Sequence, residues 1–172
     1  MIDVKKHIRD VQDFPREGIC FHDITPLLQD GAAFSEAVDR MHELVGDLDF
    51  DAVAAIESRG FIFGAALCRK VGKGMVLIRK MGKLPYSTQA ESYDLEYGTD
   101  TLEIHKDAVK KGGKILIVDD LLATGGTAEA TGRLIRSVGG TVAAYVFLIE
   151  LTELSGASKL KEPVFSVIQF EV

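Results

Sequence analysis

Ile115-Leu116-Ile117-Val118-Asp119-Asp120-Leu121-Leu122-Ala123-Thr124-Gly125-Gly126-Thr127 is the stretch on which the reading of this chain turns. Ile115 to Val118 form a short apolar run with the look of a buried strand, two acids follow it, and after a brief connection T-G-G-T opens a helix running from about Thr127 to Val138. Each part has a physical reason. The strand fixes the position of what comes after it. Gly125 and Gly126 let the backbone turn its N–H groups inward into a concave anion site. The helix adds the positive end of its dipole, and Thr124 and Thr127 add hydroxyl donors or caps. Asp119 and Asp120 are out of place beside a bare phosphate. They suit a phosphorylated sugar, whose vicinal hydroxyls donate to carboxylates while the loop holds the phosphate. Each residue alone is consistent with an ordinary capped helix; the ordered string is far less common by chance. A P-loop string and a dinucleotide-binding G-x-G-x-x-G are both missing from the sequence.

Working outward, Ala52 to Ile56, Met75 to Ile78 and Val142 to Ile149 are further short apolar runs, separated by helical patterns. Phe61 to Val71 predicts a helix. Phe34, Ala37, Val38, Met41, Leu44, Val45 and Leu48 mark one apolar face of another, which also carries His42. Buried strands alternating with helices predict parallel strands covered on both faces, hence an α/β fold with a mostly parallel twisted sheet flanked by helices and ligands at the carboxyl ends of the strands. Val4 to Val11 reads as a short helix, ended by the Phe14-Pro15 turn. His105 reads as the start of a helix. Gly82 to Asp100 is polar, aromatic and flanked by glycine: either a β-hairpin or a mobile loop of the kind that covers active sites. Val164 to Phe170 is a possible edge strand.

The chain has 172 residues, enough for one domain with its own core. It is 47% hydrophobic and 27% charged with a net charge of -6. That balance argues against nucleic acid as the main partner, which needs a basic surface, and leaves small phosphorylated ligands open. Cys20 and Cys68 lie in no C-x-x-C pair and read as reduced thiols. Neither a signal peptide nor a membrane span is legible, so a cytoplasmic location is expected. His7, His42 and His105 have no metal spacing.

The central string resembles the signature of the type I phosphoribosyltransferases. Further motifs narrow the likeness: Phe14-Pro15-x-x-Gly18-x-x-Phe21-x-Asp23-Ile24-Thr25-Pro26-Leu27-Leu28, Glu57-Ser58-Arg59-Gly60-Phe61, Arg79-Lys80-x-Gly82-Lys83-Leu84-Pro85 and Leu95-Glu96-Tyr97-Gly98 stand in this order along nearly the whole chain. Together they resemble the members of that family that act on adenine. The resemblance implies one domain over residues 1–172, with a small N-terminal base-binding hood at 1–30 and a flexible catalytic loop at 82–100. It implies that adenine and 5-phosphoribosyl 1-pyrophosphate give AMP and pyrophosphate in purine salvage, with Mg²⁺, in a homodimer. It also implies roles. Asp119, Asp120, Ala123, Thr124, Gly125, Gly126 and Thr127 hold the phosphoribosyl group. Arg59, in a short loop at a strand end, holds the diphosphate; a guanidinium suits it because its fork bonds two oxygens at once. Lys80 and Lys83, with Arg79, form a second positive wall.

The resemblance also implies that Phe21 stacks on the base while backbone groups from Ile19 to His22 read its edge; some family members carry Arg where this chain has His22. The resemblance implies Glu96 and Tyr97 as the catalytic pair, a carboxylate being able to stabilise an oxocarbenium-like state or take the purine proton. No protein ligand to Mg²⁺ is singled out, because such ions keep several waters. Taken as bare residues, Arg59 and Glu96 read as solvated surface charges, and the Arg79–Lys83 group reads either as a basic surface patch or as a wall for the diphosphate. Two alternatives stay open at this level: transfer to an oxopurine, for which no residue placed to read an exocyclic oxygen is visible, and a non-catalytic regulatory module.

Overall fold

The computed structural model describes residues 2–94 and 98–171. Its frame is a sheet of seven strands: β3 (Ala52–Ile56), β4 (Gly74–Lys80), β5 (Thr88–Asp94), β6 (Thr99–His105), β7 (Lys114–Leu122), β8 (Thr141–Leu151) and β9 (Val164–Phe170). They lie in the order β5-β6-β4-β3-β7-β8-β9. The run from β4 to β9 is parallel, while β6 pairs antiparallel with both β4 and β5. A separate hairpin of β1 (Arg9–Gln12) and β2 (Cys20–Asp23) precedes the sheet. The expected mostly parallel sheet with an N-terminal hood is therefore present, and β5 and β6, on either side of residues 95–97, pair antiparallel with each other.

Helices cover both faces. Alternation along the strands sends Val53, Leu116 and Val118 to the face packed by α2 (Gly31–Val45) and α3 (Gly60–Val71), with Phe63, Leu67, Val38 and Met41. Ala54, Ile115 and Ile117 go to the opposite face with Leu134 and Ile135 of α4 (Gly126–Ser137) and with Tyr93, Leu102 and Ile104 of the β5–β6 hairpin. Burial on two faces explains why these strands read as continuous apolar runs. The start of α2 is set by Asp30, whose Oδ1 accepts from the backbone N–H of Ala32 and Ala33, both at 3.0 Å. At the far end of α3, Gly72 takes a left-handed conformation with φ 67°. Close packing of α3 on the sheet requires Gly64, because a Cβ there would lie 2.5 Å from that of Ala55.

Three local expectations are corrected. The helix expected over Val4 to Val11 is a 3-10 turn at Val4–His7, and the chain then extends as β1. Asp3 caps nothing with its side chain, whereas strand pairing in register, Val11 with Phe21, satisfies the backbone from Arg9 onward. His105 starts no helix: it ends β6 opposite Thr88, where pairing outweighs a weak local preference. The strand expected to end at Val118 also runs on to Leu122, because β8 continues beside it as far as Glu150. Among the described residues no helix is long and apolar enough to cross a membrane.

The hairpin is tied to α1 (Thr25–Gln29) by Asp23. Its Oδ1 accepts from the Thr25 hydroxyl at 2.6 Å and backbone N–H at 2.9 Å, and its Oδ2 from Arg9 Nη2 at 2.5 Å. These bonds, led by the Thr25 hydroxyl, hold its pKa down from 3.8 to about 2. A folded-state pKa below the unfolded one means that the stabilisation is present above 3.8 and drains away as pH falls through about 2. Asp23→Asn is therefore expected to flatten the decline of melting temperature across that window, measured by circular dichroism at a series of acid pH values.

Candidate active site

The carboxyl ends of the parallel strands open into a cavity of about 570 Å³. One stretch of chain forms most of one wall: Asp119 to Ala128 all line it. Asp119 and Asp120 belong to β7 itself, so the buried strand aims them directly. Gly125 then takes φ 82°, ψ -5°, a left-handed conformation that turns the chain into the first turn of α4. The N–H groups at that helix start, the Thr124 and Thr127 side chains and the helix dipole converge on one anion-sized concavity.

The two acids are electrostatically unusual. Burial pushes the Asp119 carboxyl well above its ordinary value, helped by the adjacent Asp120 charge. Burial also raises Asp120, against a pull downward from Arg59. Arg59 Nε sits 2.5 Å from Asp120 Oδ2, and its guanidinium lies over the Phe21 ring, 5.4 Å from the centroid. Arg59 thus joins the acid pair to the N-terminal hairpin. Gly60, beside it, is forced by close approach: a Cβ there would lie 2.6 Å from Asp119 Oδ1.

The facing wall comes from β4, β5 and β6. Lys80 Nζ pairs with Asp100 Oδ2 at 2.9 Å; that bond raises the lysine pKa and lowers the carboxyl. Tyr93 is buried beside them, close enough to Thr127 and Asp100 to feel both, and burial is the main reason its pKa rises. Glu57, one residue before the Ser58–Arg59 loop, is held by Arg79 Nη2 at 3.0 Å and by the Lys80 backbone N–H at 3.1 Å. The Arg79 bond is the main reason its carboxyl titrates below the usual range.

The expected residues therefore divide. Arg59, Lys80, Asp119, Asp120, Ala123, Thr124, Gly125, Gly126 and Thr127 meet in one cavity. Phe21 stands at its edge through Arg59. Lys83 is not among the cavity-lining residues; its carbonyl accepts from Arg79 Nη1 at 2.9 Å, and its charge helps lower Glu57. His22 turns elsewhere: its Nδ1 is 2.7 Å from Asp10 Oδ1 and its ring stacks on Phe170 at 3.9 Å. Glu96 and Tyr97 lie outside the described residues.

Sequence reading missed Tyr93, Asp100 and Phe147 as wall residues. It also missed Gly156, whose backbone backs the phosphate loop. Tyr93 and Asp100 lay in the segment marked as unusual, but Phe147 is one apolar residue in an apolar strand and carries no separate signal.

A glycine nest at a strand end, with two acids beside it and Arg59 and Lys80 in the same cavity, is the layout of an enzyme that handles a phosphorylated sugar bearing a second anionic group. Comparison with known proteins agrees. The family described as phosphoribosyl transferase domain matches residues 23–171. The adenine phosphoribosyltransferase of Thermotoga neapolitana is 59% identical over 160 residues, which span 93% of this chain and 94% of that protein. Among solved structures, the adenine phosphoribosyltransferase of Thermoanaerobacter pseudethanolicus superposes with a TM-score of 0.95 at 50% identity, covering 98% of each chain. That of Saccharomyces cerevisiae, solved with D-2,5-dideoxy-2,5-imino-altritol 1,6-bisphosphate and adenine, superposes with a TM-score of 0.91 at 38% identity, over 96% of this chain and 97% of that one. The chain belongs to the type I phosphoribosyltransferase family and, within it, to the adenine phosphoribosyltransferases.

Proposed function

We propose that this chain transfers the phosphoribosyl group of 5-phosphoribosyl 1-pyrophosphate to adenine, releasing pyrophosphate and forming AMP in purine salvage. The observation that carries the reading is the convergence of the glycine nest, the Asp119–Asp120 pair and Arg59 on one cavity. Family membership supplies the base.

The 5′-phosphate sits in the nest from Ala123 to Thr127. The ribose hydroxyls donate to Asp119 and Asp120. The diphosphate competes with Asp120 for Arg59, so the guanidinium turns from carboxylate to phosphate as the sugar takes its place. Lys80 adds positive charge on the facing wall. Phe21 offers its ring to the purine, and backbone groups from Ile19 to His22 read the base edge. The C1′–oxygen bond to pyrophosphate breaks, and the C1′–N9 bond forms through an oxocarbenium-like state. Glu96 offers the carboxylate that stabilises this cation or accepts the purine proton, with Tyr97 beside it in a loop that excludes water.

Mg²⁺ fits the donor set: Asp119 and Asp120 line the cavity with hard carboxylate oxygens, which would bind the ion directly or through its waters. When bound it neutralises charge on the departing pyrophosphate. The reading includes a cytoplasmic enzyme, supported by two free thiols, and a homodimer, supported by the exposed Ile62 of α3 and Met75 and Leu77 of β4.

The test is nucleotide formation from phosphoribosyl pyrophosphate and Mg²⁺ with each purine base in turn. AMP from adenine is expected; turnover of hypoxanthine, guanine or xanthine without adenine would overturn the reading. With the same assay, Glu96→Gln is expected to lower kcat by about 10² to 10⁴ while KM changes far less. A Glu96→Gln enzyme with normal turnover would remove Glu96 from the chemistry.

A further inference from the structure

We propose that the back of the N-terminal hairpin is a site for a borderline-soft divalent cation such as Zn²⁺, bound by Asp10, Cys20 and His22. Their candidate ligand atoms all lie within 4.8 Å of one another. The register explains why. Asp10 pairs with His22, and Gln12 with Cys20. Residues two apart on a strand share a face, and directly opposed pairs bring their Cβ atoms to about 5 Å. Asp10, Gln12, Cys20 and His22 therefore form the corners of a square on one face, while Val11 and Phe21 project from the other.

The geometry inside that square is already partly set. His22 Nδ1 lies 2.7 Å from Asp10 Oδ1. The imidazole is stacked on Phe170, centroids 3.9 Å apart and planes 22° apart, which fixes the ring's orientation. Gln12 Nε2 donates to Cys20 Sγ at 3.4 Å, a contact that orients the sulfur on this face. The His22 side chain is 8% exposed and that of Asp10 54%, so the site is walled on one side and open on the other for an ion and one water.

The donor set selects the cation. One carboxylate, one thiolate and one neutral imidazole cancel the charge of a divalent ion. Thiolate with imidazole favours zinc-like ions over Mg²⁺ or Ca²⁺, which take oxygen. Three protein ligands with an open fourth position can complete a tetrahedron. The site is separate from the reaction cavity: Phe21 leaves the hairpin by the opposite face, toward Arg59. Its chemical effect is to clamp β1 to β2 and, through the His22–Phe170 stack, to hold the hairpin against β9.

The experiment uses the full chain, stripped with a chelator and titrated with Co²⁺ as the spectroscopic probe. One equivalent is expected to produce a thiolate-to-cobalt charge-transfer band and intense tetrahedral d–d bands, both lost when Zn²⁺ is added. Cys20→Ser is expected to abolish the charge-transfer band, and Cys68→Ala to retain it. Asp10→Asn and His22→Gln, confirmed folded by circular dichroism, are expected to weaken binding by at least about tenfold. No sulfur-to-cobalt band in the parent chain, a band that survives Cys20→Ser, or unchanged affinity in both the Asp10 and His22 variants would overturn the proposal.

Discussion

Gly125→Ala is expected to lower kcat/KM for phosphoribosyl pyrophosphate by about a hundredfold or more, the order of loss that follows when a binding group is displaced by an ångström. Two costs act at this one position. The residue holds φ 82°, where an L side chain is disfavoured by roughly 1–2 kcal/mol. An added Cβ would also press into the Gly156 carbonyl, far inside van der Waals contact with its oxygen and 3.1 Å from its carbon. That obstacle is backbone and cannot swing aside. The loop must shift, and its N–H groups no longer converge on the phosphate. Gly156→Ala provides the matching test. Its Cβ would press on the Ala123 carbonyl oxygen and stand 2.9 Å from the Gly125 nitrogen. Gly156 has no left-handed φ to explain an effect, so a loss of similar direction would come from contact alone. Steady-state kinetics and thermal melts of both variants check this; near-normal KM for phosphoribosyl pyrophosphate in both would show that the nest tolerates displacement.

Asp120→Asn is expected to raise the KM for phosphoribosyl pyrophosphate by about 10- to 100-fold, the loss of one hydrogen bond to a charged acceptor, while kcat changes much less. The variant separates binding from folding because of where the carboxyl sits. It is buried, and burial raises its pKa even with Arg59 beside it. A neutral amide avoids that cost, and Arg59, with its side chain 40% exposed, keeps access to water. The melting temperature at neutral pH is therefore expected to hold or rise as substrate affinity falls. The pH dependence has a definite sign. Asp119 and Asp120 both have folded-state pKa values above the ordinary 3.8. Their contribution to stability is fully present below 3.8 and is lost as pH rises through the raised folded values. Asp120→Asn should reduce that loss, in the opposite direction from the Asp23→Asn effect on the acid side. A lower melting temperature at neutral pH together with unchanged KM would reverse the assignment, making the Arg59–Asp120 pair a prop of the fold.

How much of the molecule was legible follows from the range of each interaction. The strand-helix alternation was legible because burial on both sheet faces writes continuous apolar runs. The phosphate nest was legible because a strand, two glycines and a helix start act within a few consecutive residues. Legibility failed where local preference competed with pairing partners: Val4 to Val11 looked helical until β2 came alongside, and His105 looked like a helix start until Thr88 paired with it. The surroundings of the His22 ring were equally illegible: in three dimensions Asp10 and Phe170 occupy it, and neither lies near it in sequence.

The stretch from Ile115 to Thr127 by itself determined an anion-binding loop with two acids at the end of a buried strand, the pattern that suits a phosphorylated ribose, because every constraint on that loop is local: the apolar strand, the backbone freedom of glycine and the dipole of the helix that follows. Only the tertiary structure decided what surrounds it. Arg59 reaches Asp120, Tyr93 reaches Thr127, Phe147 lines the cavity and Gly156 backs the nest. These are contacts between residues far apart in the chain, and a contact made through space leaves no period or spacing in the sequence.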